Sequence, residues 1–146
     1  MSLAMIDMQG DRPLAPRVTQ FTARFWGALA EGRFLATRCK ACDRASFPPQ
    51  AHCPVCLGRD IEWVELSGRG RLYSATRVHA GPARFAAELP YSVGIVDLDD
   101  GVRLVTRLLG DGGPEHLDQP VQLVVTRYRD GPLFAAELVA PDASIL

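Results

Sequence analysis

Apolar and polar positions alternate with a period of two along most of the second half of the chain. They take helical spacing at one place near its start. Phe21, Phe25, Trp26 and Leu29 recur three or four apart and predict a short helix, with Thr22 at its start and Gly32 behind Glu31 as its stop. Phe34 to Arg38 and Ile61 to Leu66 read as strands, and Ser67-Gly68-Arg69-Gly70 as a boundary between two modules. Five further strands follow, at Arg71 to Val78, Tyr91 to Asp97, Val102 to Leu109, Val121 to Tyr128 and Leu133 to Val139. Asp99-Asp100-Gly101 and Asp130-Gly131-Pro132 supply hairpin turns, while Gly110 to Pro120 has room only for a turn or a short helix. Five strands with a pause after the third follow the order of an OB barrel. The link from His79 to Pro90, carrying Arg84, Phe85 and Leu89, is the least regular part and is expected to be a mobile loop near any ligand. This gives three parts: a polar, proline-bearing mobile arm over 1–17, a helix and ribbon over 18–66, and the barrel over 67–146.

The four cysteines add chemistry to that pattern. They stand as Cys39-Lys40-Ala41-Cys42 and Cys53-Pro54-Val55-Cys56, two pairs separated by ten residues. Each pair fits a tight turn that aims both sulfurs at one ion, and two such pairs make a closed tetrahedral thiolate site. Lys40 favours thiolate over thiol. Zinc suits the donors, although an iron site of the rubredoxin type uses the same ligands. Four sulfurs leave no position for an activated water, so the metal is expected to be structural. Two disulfides would suit a secreted chain, but Met1 to Arg17 lacks the apolar core of a signal peptide, and the cytoplasm is the expected compartment. His52 beside Cys53 is left without a role once the shell is full. Between the pairs, Phe47-Pro48-Pro49 reads as an extended loop with an exposed aromatic, since proline cannot donate to a ladder.

Charge narrows the function classes. No apolar run approaches the ~20 residues of a membrane helix. An OB barrel invites a nucleic-acid reading, and strand alternation would set Arg69, Arg71, Tyr73 and Arg77 on one side of the first barrel strand. Arg103 with Arg107, and Arg127 with Arg129, would extend an arginine patch. Yet from Ser67 onward eight arginines and no lysine meet ten acids, without the positive excess of a non-specific nucleic-acid binder. Two or three arginines remain enough to hold the phosphates of a nucleotide-like ligand. No nucleophile stands in a recognisable catalytic context: Ser67 and Ser74 lack an elbow, His79 and His116 are far apart, and Asp99-Asp100 carries turn chemistry.

The ordered set resembles a known family: small OB-fold, acyl-CoA-associated proteins with an N-terminal rubredoxin-like zinc ribbon. The residues that carry the resemblance are Phe25-Trp26, Glu31-Gly32-Arg33-Phe34, Arg38-Cys39-Lys40-Ala41-Cys42, Phe47-Pro48-Pro49, Cys53-Pro54-Val55-Cys56, Ser67-Gly68-Arg69-Gly70, Thr76 with Val78, Pro90-Tyr91 and Asp99 to Arg103. They span Phe21 to Val139. Asp43 stands where the family often has glycine after the second cysteine. The resemblance implies a mainly β protein: a short helix, the zinc ribbon, then the five-stranded OB barrel. It implies a non-catalytic companion of a thiolase-like condensing enzyme, aldolase or hydratase in acyl-CoA or lipid metabolism. The ribbon and aromatic helix would dock the partner, and the cleft between ribbon and barrel would receive an acyl chain or pantetheine arm. Chemistry and position nominate Trp26, Phe47, Pro49, Phe85, Pro90 and Tyr91 for the ligand, with Arg77 and Arg84 at its phosphates. The alternatives are a single-stranded nucleic-acid module and an interaction subunit that binds no ligand. Homo-oligomers stay open.

Overall fold

The computed structural model describes residues 2–139. The strands are β1 (Met5–Asp7), β2 (Phe34–Cys39), β3 (Ala45–Ser46), β4 (Ile61–Leu66), β5 (Arg69–Val78), β6 (Tyr91–Leu98), β7 (Arg103–Leu108), β8 (Pro120–Tyr128) and β9 (Gly131–Leu138), with one helix, α1 (Ala23–Ala30). Every strand anticipated from the alternation is present, with ends moved by a few residues.

The helix starts on a reciprocal threonine pair. The Thr22 N–H donates to the Thr19 hydroxyl at 3.0 Å, and the Thr19 N–H donates to the Thr22 hydroxyl at 2.8 Å. These bonds close the turn that leads into α1, and the Ala23 N–H continues it by reaching the Thr19 carbonyl at 2.9 Å. It ends at Gly32, whose φ of 85° lets the Gly32 and Arg33 N–H groups reach the Leu29 and Ala28 carbonyls. Phe25, Ala28 and Leu29 form its buried face, which lies on β2, β8 and β9.

β2 pairs antiparallel with β3 and β4 in a small sheet. β5, β6, β7, β9 and β8 pair in that order, and β8 returns to β5, closing a five-stranded barrel. In β6 the inward positions Ser92, Gly94, Val96 and Leu98 are buried and alternate with half-exposed ones. Ribbon and barrel share one core: Phe25, Phe34 and Leu66 belong to the same buried cluster as Leu72, Val96 and Leu123. Phe34 of β2 meets Phe134 of β9 edge to face at 5.1 Å across the expected module boundary.

Four local readings change. Met5–Asp7, within the stretch expected to be a mobile arm, runs parallel to β8. Asp7 pairs with Arg127 at 2.7 Å, Asp11 with Arg129 at 2.9 Å, and Arg12 reaches the Asp130 carboxylate and the Asp130 and Pro132 carbonyls. Three strand residues are too few to show a period.

Next, β5 is bulged at Tyr73, where the register passes from Leu72↔Val96 to Ser74↔Ile95. The extra residue reverses the alternation. Arg77 therefore stands opposite the buried Ser92, on the other face from Arg69, Arg71 and Tyr73. Third, the link before β6 is not structureless: Ala83–Glu88 winds into a 3₁₀ turn. Finally, Phe47 is no exposed loop aromatic. It is half-buried and packs against Phe34 at 5.0 Å, Phe25 at 5.5 Å and Phe134 at 5.8 Å. The prolines remove ladder donors, but a large ring still goes where apolar area is covered.

Candidate metal centre and the groove beside it

Two equivalent loops build the centre. In the first, the Asp43 N–H reaches the Cys39 carbonyl at 2.7 Å, and the Cys39 N–H reaches the Arg44 carbonyl at 2.9 Å. In the second, Leu57 bonds back to Cys53, and Cys53 to Gly58, both at 2.9 Å. Each loop needs left-handed backbone just after its second cysteine, and Asp43 (φ 64°) and Leu57 (φ 63°) supply it. Aspartate tolerates that region because its short side chain bonds locally, so the departure from glycine leaves the loop intact.

The loops bring all four sulfurs within 4.8 Å of one another. Cys39 and Cys56 stand 3.6 Å apart, and Cys42 and Cys53 stand 3.4 Å apart. Those spacings exclude disulfides, whose sulfurs touch at about 2.05 Å, and the cysteines are free. A tetrahedral ion with sulfur at about 2.3 Å would hold them roughly 3.8 Å apart, so these two pairs would open slightly around it and the four residues fit such an ion. The backbone N–H groups of Cys56 and Val55 draw the Cys53 thiol down to about 6. At Cys42 the Arg44 N–H also pulls downward, but the Cys53 sulfur, burial and the other two sulfurs outweigh it and push the thiol up to about 12. Four crowded sulfurs thus hold some protons tightly and release others. A cation that replaces those protons relieves the crowding. Cys39 and Cys53 are buried and Cys56 is exposed, so the centre lies at the surface end of the ribbon.

The nominated ligand residues fall into separate places. Arg77, Pro90 and Tyr91 line a hollow of about 610 Å³ with Glu88, Arg107 and His116. Phe85 stacks on Tyr91 at 5.7 Å, and Arg84 is exposed on the 3₁₀ turn. Arg77 is held by both Glu115 oxygens, and Arg107 by Glu88 at 2.8 Å, with its guanidinium 4.6 Å from the Tyr91 ring. The bond from Arg77 holds the Glu115 carboxyl below its ordinary range. Both arginines in this hollow therefore already carry a carboxylate. Trp26 is half-buried against the core, edge-on to Phe25 at 4.9 Å. Pro49 is half-buried in the inter-cysteine loop.

Phe47 borders a different place, the seam between ribbon and barrel. A hollow of about 200 Å³ there is lined by Phe47, Pro48, Pro54, Val102 and Arg103, among others. A second, of about 320 Å³, is lined by Arg38, Asp43, Arg44, Val55 and Asp100, among others. The two share Ala45, Ser46, Pro54 and Gly101 and so form one groove. Arg38 and Arg44 were missed from sequence as ligand candidates, although both flank the first cysteine pair. At the far side of the ribbon, Phe21 stacks on Trp63 at 5.2 Å with Arg24 above it, in a partly exposed aromatic patch. Among the described residues, no helix is long and apolar enough to cross a membrane.

Residues 26–62 match the family described as ChsH2, rubredoxin-like zinc ribbon domain, and residues 63–127 that described as ChsH2, C-terminal OB-fold domain. A relative in Thauera aromatica, the benzoylsuccinyl-CoA thiolase subunit BbsA, is 37% identical over 79% of this chain and 81% of its own. A DUF35 domain-containing scaffold protein of Methanocaldococcus jannaschii is 30% identical over 76% of this chain and 81% of its own. Among solved structures, a chain of the Ltp2-ChsH2(DUF35) aldolase superposes with a TM-score of 0.74 at 32% identity, covering 86% of this chain and 100% of that one.

Proposed function

Because the chain belongs to the ChsH2 family of rubredoxin-like zinc ribbons joined to OB-fold domains, we propose that it is a non-catalytic subunit that binds an acyl-CoA thioester and serves a thiolase-like or aldolase-like partner. The observation that carries the reading is the match to a thiolase subunit over 81% of that subunit's length, together with the named aldolase complex. The four-sulfur centre supports it from chemistry. Zinc held by Cys39, Cys42, Cys53 and Cys56 would have a full shell, so it would brace the ribbon rather than activate water or substrate.

The aromatic patch of Phe21 and Trp63, with the apolar side chains of Leu14 and Val18 exposed on the segment before α1, supplies a surface for the partner. The charge pattern gives little support to a nucleic-acid reading. Arg77, Arg103, Arg107, Arg127 and Arg129 are each matched to an acid within the chain, so the arginine patch is largely neutralised.

Calorimetric titration of the zinc-loaded protein with acetyl-CoA, and in parallel with a single-stranded oligonucleotide near physiological salt, tests the reading. Saturable binding of the thioester alone is expected. Binding of the oligonucleotide alone would overturn it in favour of a nucleic-acid module. Silence toward both would remove ligand binding by the isolated chain and leave an interaction subunit.

A further inference from the structure

We infer that the groove at the ribbon–barrel seam is an anion subsite, built by Arg38 and Arg44, for a phosphorylated end of the acyl-CoA ligand. This rests on the acyl-CoA reading above and gives the ligand a polarity in the groove. Arg12, Arg33, Arg77, Arg103, Arg107, Arg127 and Arg129 all make ion pairs with acids of the chain. Among the described residues the other eight arginines make none, and of those eight only Arg38 and Arg44 line the seam.

Arg38 is the more telling of the two. It is half-buried on β2, and its Nε is enclosed without an acceptor. Glu62 stands directly opposite it in register on β4, yet the two do not pair. An enclosed guanidinium donor without an acceptor is costly, and a phosphate oxygen would remove that cost. Arg44 lies just beyond the first cysteine loop and lines the same hollow of about 320 Å³.

The acids around the groove bear on the sign. Asp100 also lines it, but its carboxylate accepts from the Ser67 N–H at 3.1 Å and the Ser67 hydroxyl at 3.4 Å. Asp43 lines it as well, fixed in left-handed backbone by the cysteine loop. Arg103, at the other end, is held by Asp97 and lies 3.8 Å from the Tyr73 ring centre. Two arginines and two acids leave the hollow formally balanced, so what favours an anion is the Arg38 guanidinium, which holds no carboxylate and whose Nε is enclosed without an acceptor. Toward Arg103 the wall mixes Phe47, Pro48, Pro54 and Val102 with Ser46 and Gln50, which suits an arm such as pantetheine, where amides alternate with methylenes. Phosphate at one end and a mixed polar and apolar wall at the other match a CoA thioester in order. This places the phosphates at Arg38 and Arg44 rather than at Arg77 and Arg84.

The test titrates the full zinc-loaded chain with acetyl-CoA, with adenosine 3′,5′-bisphosphate, and with S-acetylpantetheine, which carries no phosphate. The variants are Arg44→Gln, on an exposed side chain, Arg38→Lys, which keeps the charge but loses the planar fork, and Arg84→Gln as the control. The inference expects Arg44→Gln and Arg38→Lys each to weaken acetyl-CoA and the bisphosphate roughly tenfold or more, with S-acetylpantetheine and the control unchanged. Equal acetyl-CoA binding by wild type and both variants would overturn the subsite and leave the acyl-CoA reading standing. Bisphosphate binding that Arg44→Gln abolishes, without any acetyl-CoA binding, would support the subsite and overturn the thioester reading. No binding of any probe by the wild type would overturn both.

Discussion

Replacing Cys53 by serine is expected to empty the metal centre and unfold the ribbon. Cys53 is buried, and its sulfur receives the Val55 and Cys56 N–H groups at 3.4 and 3.5 Å. It therefore anchors the second loop even before a metal is considered. Removing one thiolate leaves three donors and an opening for water. The free energy at stake is on the order of 10 kcal/mol, since binding of a structural ion is folding free energy. Chelation of the wild-type protein should do the same. Metal content should fall from one ion per chain to near zero, and amide exchange across 39–60 should become fast. Retained metal with an unchanged melting curve would remove these cysteines from the centre.

Phe34→Ala is expected to destabilise the protein by about 3–5 kcal/mol, the usual cost of emptying a large aromatic site in a core. Phe34 is fully buried and touches three other rings, Phe25 at 5.4 Å, Phe47 at 5.0 Å and Phe134 at 5.1 Å. Those rings come from α1, the inter-cysteine loop and β9, so the cavity weakens ribbon and barrel together. Melting followed by tryptophan fluorescence reports the ribbon half, where Trp26 and Trp63 lie. Far-UV circular dichroism reports mainly the barrel strands. The two transitions should shift downward together. A fluorescence transition that moves alone would show that the modules melt independently and that the shared core contributes little.

The barrel was legible because its strands are half-buried, and a half-buried strand writes its face into every second residue. The centre was legible because four soft ligands at that spacing have few other uses. What escaped were features without a period. The bulge at Tyr73 inserts one residue and turns Arg77 to the opposite face, which no composition signal announces. β1 is held by a parallel ladder and by ion pairs to residues more than a hundred positions away. Phe47 reads as a loop aromatic because its neighbours are prolines and the rings that cover it, Phe25, Phe34 and Phe134, are distant in sequence. Arg38 and Arg44 were overlooked for a related reason. Which arginines already hold a carboxylate depends on pairing across the fold, so the role proposed for these two is not written in the sequence.

The most direct test of the account is amide hydrogen exchange on the zinc-loaded protein with and without saturating acetyl-CoA. Added protection is expected along the seam, in residues 42–56 and in the β6–β7 turn around Asp100 and Gly101, where the two hollows meet. Little change is expected across residues 77–91, where Arg77 is already held by Glu115. Protection confined to residues 77–91 and 107–116, with the seam unaffected, would place the thioester in the larger hollow and contradict the account.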